Sequence, residues 1–68
     1  MSIKSEFWKK VRDIRLNKKI SQEKLSELSG IHRTYISSVE RGLKNISVEN
    51  IEKIALALKI KVKDLFNF

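Results

Sequence analysis

The sequence predicts an all-α fold, a compact five-helix bundle, on three observations. Apolar residues recur at spacings of three and four, the helical period, and long strand-like alternation is absent. The chain has no proline and two glycines, Gly30 and Gly42, each just past an apolar-periodic run, where helices end in a left-handed residue. Its 68 residues make one small domain, residues 1-68, with a core too small for a large cleft between two lobes.

The first helix is expected from about Ser5 to Asn17. Phe7, Val11 and Ile14 form one stripe, while Lys9, Lys10 and Asp13 face away. Asn17-Lys18-Lys19 is a polar break, and Ile20 returns to the core. Ser21 reads as an N-cap, because its hydroxyl can accept from the free N–H groups of the next turn. Gln22 to Ser29 is then a short helix with Leu25 and Leu28 inside and Glu23 at the positive end of the dipole. Gly30 stops it and Ile31 is buried. A third helix runs from about Arg33 to Arg41, with Ile36 and Val39 inward, and ends at Gly42. After the loop Leu43-Lys44-Asn45-Ile46, Ser47 caps a fourth helix, about Val48 to Leu58, with Ile51, Ile54, Ala55 and Leu58 inward. Lys59 to Lys61 connect it, around Ile60, to a last turn or two over Lys63 to Phe66, where Leu65 and Phe66 return to the core.

Fifteen basic against eight acidic side chains give a net charge of +7, which favours a polyanionic partner. There is no cysteine and one histidine, so neither a disulfide, a thiol nucleophile nor a His-rich metal site is expected. An enzyme needs a nucleophile–base pair or a carboxylate cluster in a pocket. Glu23 and Glu27 are instead helix neighbours on an outer face. No cofactor, metal or small-molecule ligand is expected. No apolar run approaches the roughly 20 residues that span a bilayer. No helix joins a broad apolar face to a fully basic one, so no membrane partner is expected. Met1-Ser2-Ile3-Lys4 leads into no long apolar stretch, so no secretory signal is expected and the cytoplasm is the default location.

Residues 21 to 42 read as a short helix, a tight turn at Gly30 and a second helix with a polar outer face. That is the arrangement of a helix-turn-helix, whose second helix lies in the major groove of DNA. Gly30 supplies the positive φ of the turn. Leu25, Ile31, Ile36 and Val39 fasten the pair of helices to the core. The pattern Ser21-Gln22-Glu23-x-Leu25, Gly30-Ile31, Tyr35-Ile36-Ser37, Glu40-Arg41-Gly42, Asn45-x-Ser47, Ile54-Ala55-x-Ala57-Leu58 and Leu65-Phe66 resembles the Cro/C1-type (XRE-like) DNA-binding domains of phage repressors. The resemblance runs from about Val11 to Phe66. Arg33-Thr34-Tyr35-Ile36-Ser37, with Glu40-Arg41-Gly42 and Asn45-Ile46-Ser47, is most similar to the controller proteins of restriction–modification systems.

The resemblance implies a lambda-repressor-like fold and a homodimer that binds a palindromic operator in double-stranded DNA. It gives Gln22 a backbone phosphate to hold. It places His32, Arg33, Thr34 and Ser38 where repressors reach base edges. The Arg33 fork can pair bidentately with guanine, worth about 1–3 kcal/mol of discrimination. Thr34 can donate to a base or touch a thymine methyl. Tyr35 has three readings: stacking on sugar or thymine, a phosphate contact, or a partly buried anchor against helix two. Ser37 and Ser38 are small enough to let the helix approach closely, or small only for packing. Lys44 and Asn45, with Arg41 beside them, match phosphate-gripping positions, which orient the protein on DNA without reading sequence. Arg15 and Glu40 match a buried ion pair between helix one and the recognition helix. Glu23 and Glu27 match the acidic patch by which the lambda repressor contacts RNA polymerase.

Simpler readings stand beside these. Lys9, Lys10, Lys18, Lys19, Lys53, Lys59, Lys61 and Lys63 read as a solvated surface. His32 caps its helix as readily as it reaches a base. Trp8 is a packing or surface residue of helix one. Glu23 and Glu27 also serve solubility and the dipole. Ile60, Val62, Leu65, Phe66 and Phe68 are too many for so small a core, so Val62, Phe66 and Phe68 are candidates for a dimer contact, with a frayed terminus as the alternative. The competing function on the same scaffold is a phage-type repressor, or an antitoxin whose main partner is a protein.

Overall fold

Serine caps and apolar stripes set where the helices begin and how they turn. A computed structural model describes residues 2–68; Met1, part of the expected domain and of the leader reading, lies outside the described residues. The described residues form four α-helices: α1 (Ile3–Asn17), α2 (Gln22–Ser29), α3 (Arg33–Glu40) and α4 (Val48–Leu58). A 3-10 turn over Val62–Phe66 follows them, and there is no strand among the described residues. Ser2, Ser21 and Ser47 cap α1, α2 and α4, their hydroxyls accepting from the N–H groups of Ser5 (3.2 Å), Lys24 (2.9 Å) and Asn50 (3.1 Å). Gly30 ends α2 at φ +75° and Gly42 follows α3 at φ +73°, both left-handed.

The expected fifth helix is corrected to a 3-10 turn. The segment that follows the end of α4, where Lys59 sits at φ +58°, spans only five residues, too few to nucleate an α-helix, and short pieces take the tighter form. The Asp64 carboxylate steadies that turn by accepting from the Lys61 N–H at 3.1 Å. Helix α1 starts at Ile3 rather than Ser5, because Ser2 supplies the cap, and α3 stops at Glu40, one residue short of the expected Arg41.

The core is Phe7 and Val11 of α1, Leu25 of α2, Ile31 of the turn, Ile36 and Val39 of α3, Ile54, Ala55 and Leu58 of α4, and Leu65. Helix α2 packs on α3 and α4, and α1 packs on α3 and the 3-10 turn. Leu28, expected inside, is 49% exposed: α2 makes barely two turns, and Leu25 alone fills its inward place, with Ile31 taking the next. Phe66, also expected inside, is 36% exposed and lays its ring against Phe7, with centroids 5.1 Å apart.

Two charged residues lie in this interior, Arg15 at 7% exposure and Glu40 at 4%. Arg15 Nε donates to Glu40 Oε2 at 2.7 Å and Nη2 to Oε1 at 2.9 Å, a bidentate pair between α1 and α3. Arg15 Nη1 donates to the Ile20 carbonyl at 2.8 Å, and Gln22 Nε2 reaches Glu40 Oε1 at 3.1 Å. Glu40→Ala leaves Arg15 buried without its counter-charge and is expected to cost about 3–5 kcal/mol of stability. Thermal melts check this; a melt coincident with that of the unaltered chain would mean the pair is dispensable.

Candidate nucleic-acid interface

The turn between α2 and α3 is tied by its own side chains. The Gly30 N–H donates to the Ser26 carbonyl at 2.9 Å, and the Ile31 N–H donates to Ser29 Oγ at 3.2 Å. Ser26 Oγ–H closes the corner on the Ile31 carbonyl. Ile31 is then buried, which fixes the angle at which α3 leaves. His32 caps α3, with Nδ1 accepting from the Thr34 N–H at 3.1 Å while the ring stays exposed.

Helix α3 divides into two faces. Ile36, Val39 and Glu40 are buried. Arg33 and Thr34 are exposed on the opposite side, and Tyr35, Ser37 and Ser38 are half-buried between. Gln22, Arg33, Thr34 and Ser37 line one polar recess on the outer surface, so the start of α2 and the first turns of α3 share a face. Gln22 enters that face with one N–H already given to Glu40 and the rest of its amide free. Ser38 Oγ–H donates back to the Thr34 carbonyl at 3.0 Å, which keeps its hydroxyl on the helix. Tyr35 reaches the following loop, its hydroxyl donating to the Asn45 carbonyl at 3.2 Å. Arg41 and Asn45 are exposed beside and on that loop, and Lys44 is exposed between them.

The remaining candidates lie elsewhere. Glu23 and Glu27 are exposed one turn apart on α2. Val62 and Phe66 line a surface hollow with Val48 and Ile51 of α4. Phe68 does not line that hollow; it lies along α1 beside Glu6, Lys9, Lys10 and Asp13, with its ring centroid 6.4 Å from that of Phe66. Sequence reasoning missed Val48, which is 82% exposed. It stands at the head of α4 and lines the same hollow as Val62 and Phe66. No described helix is long and apolar enough to cross a membrane.

Comparison with known proteins agrees with this geometry. A helix-turn-helix family profile matches residues 11–65. The chain is 53% identical over 68 residues to control protein C.BamHI of Bacillus amyloliquefaciens, covering 98% of this chain and 84% of that protein. Control protein C.SmaI of Serratia marcescens is 43% identical over 65 residues, covering 96% and 77%. The crystal structure of the restriction-modification controller protein C.AhdI of Aeromonas hydrophila superposes with a TM-score of 0.89 at 45% identity, over 91% of this chain and 94% of that one. In fold and in sequence, the chain belongs to the helix-turn-helix family of DNA-binding transcription regulators, in its Cro/C1-type branch and beside the restriction–modification control proteins.

Proposed function

We propose that residues 1-68 work as one helix-turn-helix domain that binds a palindromic operator as a homodimer and controls the genes of a restriction–modification system in the cytoplasm. The observation that carries this reading is the polar face that Gln22 of α2 shares with Arg33, Thr34 and Ser37 of α3, a helix whose other face is locked into the core. Arg33 and Thr34 are the base readers, with Tyr35 and Ser37 at the edge of the contact. Ser38 acts mainly through the helix, its hydroxyl proton given to the Thr34 carbonyl, whereas His32 caps α3 through Nδ1 and keeps Nε2 for a base. Gln22, Lys44, Asn45 and Arg41 hold phosphates and set the register.

The exposed hollow of Val48, Val62 and Phe66 supports an isologous contact, with Phe68 flanking it. Such a dimer sets two recognition helices about 34–36 Å apart, one turn of B-DNA. Glu23 and Glu27, exposed one turn apart on α2, suit a contact with RNA polymerase.

Selection from a random duplex library at near-physiological salt tests the reading. A two-fold symmetric enriched site is expected, and Arg33→Ala should cost about 1–3 kcal/mol per half-site at a guanine and relax preference there. Retention with no enriched sequence would leave only general attraction to the +7 charge. Val62→Glu places a charge in the dimer hollow, so sedimentation should show monomers that keep the wild-type helical spectrum; an unchanged dimer would move the contact elsewhere. At the head of α3, His32→Asn replaces the capping ring nitrogen with an amide oxygen and should melt like the unaltered chain, whereas His32→Ala loses about 1 kcal/mol. Lower operator affinity in the Asn variant would assign His32 to a base as well.

A further inference from the structure

The space where a side chain on Gly42 would begin is already taken. A Cβ there would lie 2.5 Å from Trp8 Nε1, 2.9 Å from Cε2 and 3.3 Å from Cδ1. All three atoms belong to the five-membered ring of the indole, so that edge of Trp8 rests on the backbone at Gly42. Trp8 belongs to α1 and is half-buried against the core. Gly42 opens the loop that carries Lys44 and Asn45. The contact therefore joins the first helix to the segment that follows the recognition helix.

That segment has few other ties. The Gly42 and Leu43 N–H groups donate back to Val39 (3.0 Å) and Ser38 (2.8 Å), but among the described residues none accepts from the N–H groups of Lys44, Asn45 or Ile46. What remains is the Tyr35 hydroxyl on the Asn45 carbonyl, the Ile46 side chain packed on the core, and Trp8 behind Gly42. Between them lies an open groove of about 180 Å³, lined in part by Phe7, Trp8, Val39, Lys44 and Ile46. The loop stands over open space, so its height above the core depends on the rings that prop it.

We propose that Trp8 is a positioning residue for the DNA-backbone contact: the indole edge seated on Gly42 fixes the height at which the loop presents Lys44 and Asn45 to phosphate. Trp8 itself touches no nucleic acid in this arrangement. The inference rests on the reading of Lys44 and Asn45 as phosphate contacts, and it deepens that reading.

Salt dependence provides a readout that a purely structural role does not move. The plot of log K against log salt has a slope of about 0.9 in magnitude for every phosphate the protein neutralises. The slope is measured on a random-sequence duplex for the unaltered chain, Lys44→Ala, Trp8→Ala and the double variant, at a temperature where melts show all of them folded. Lys44→Ala is expected to lower the slope by about 0.9 per protomer bound. Trp8→Ala should lower it by a similar amount although it removes no charge, and the double variant should be no shallower than Trp8→Ala alone. A Trp8→Ala slope equal to that of the unaltered chain overturns the proposal, as does a Lys44→Ala effect of equal size in both backgrounds. If Lys44→Ala leaves the slope of the otherwise unaltered chain unchanged, the phosphate reading itself fails. Where Trp8→Ala melts too low, Trp8→Phe replaces it; Phe keeps an apolar ring on the core, withdraws the five-membered edge from Gly42, and is judged by the same criteria.

Discussion

Three helices meet at one carboxylate. Glu40 is the last residue of α3, Arg15 comes from the end of α1, and Gln22 is the first residue of α2. The pair is buried, so both charges have given up water, and a desolvated pair is tolerable only when its geometry is good and its other donors are used. Here two nitrogens of the guanidinium hold the carboxylate and the third binds the Ile20 carbonyl. An ammonium could not replace that planar fork, because a lysine offers a point charge with no fixed direction. What the pair contributes beyond net stability is orientation. An apolar contact tolerates sliding between helices, whereas a bidentate contact fixes distance and angle together. The recognition helix is thereby set against α1 and against the start of α2, the two elements that carry Trp8 and Gln22.

The consequences reach the outer face along short paths. Helix α3 has eight residues, too few to be stable alone, so its form depends on its ends and on its buried stripe. His32 fixes the beginning. Glu40 and the left-handed Gly42 fix the end, and Gly42 has no room for a side chain because Trp8 occupies it. With both ends tied and Ile36 and Val39 in the core, the outward side chains have a rigid base. Gln22 stands at the junction of the two systems, donating to the buried Glu40 while lining the polar recess with Arg33 and Thr34. A phosphate held by Gln22 would therefore be keyed to the same carboxylate that aligns the helices.

Much of this was legible in the sequence because its signals are local. The serine caps, the glycine stops and the apolar stripes fix the bounds of α2 and α4 and bring α1 and α3 to within a residue or two. The helix-turn-helix, its buried Ile31 and its polar second helix follow from the same signals. Apart from the last segment, whose five residues take the 3-10 form, the exceptions are tertiary. Leu28 obeys the helical period yet lies outside, because a two-turn helix against a small core has one inward place, and Leu25 fills it. Phe66 finds a ring, Phe7, rather than an interior. The seating of Trp8 on Gly42 is invisible to any local rule, since the residues lie on different elements and the sequence shows only a glycine where a helix should end. For His32 and Tyr35, residue type allowed several roles, and only the geometry showed Nδ1 turned onto the helix and the hydroxyl turned onto the loop.

The size of α3 also bears on the proposed pairing of two copies. In the proposed reading Arg33 and Thr34, exposed at its head, are the base readers, and a good bidentate contact discriminates by about 1–3 kcal/mol. Specific binding generally exceeds non-specific binding by about 4–10 kcal/mol. A single helix of this kind falls short of that gap or only reaches its lower edge, while the +7 charge strengthens binding to every sequence alike. Adding lysines would deepen non-specific binding without improving the ratio. Lengthening α3 would break the ties at Glu40 and Gly42 on which its orientation depends. Duplication by a two-fold axis avoids both costs: it doubles the discriminating contacts, leaves each helix as it is, and adds a spacing requirement between half-sites that random DNA rarely meets. The uncovered apolar hollow of Val48, Val62 and Phe66 is the surface on which such a duplication can be built, and its exposure in the single chain is what the symmetry would remove.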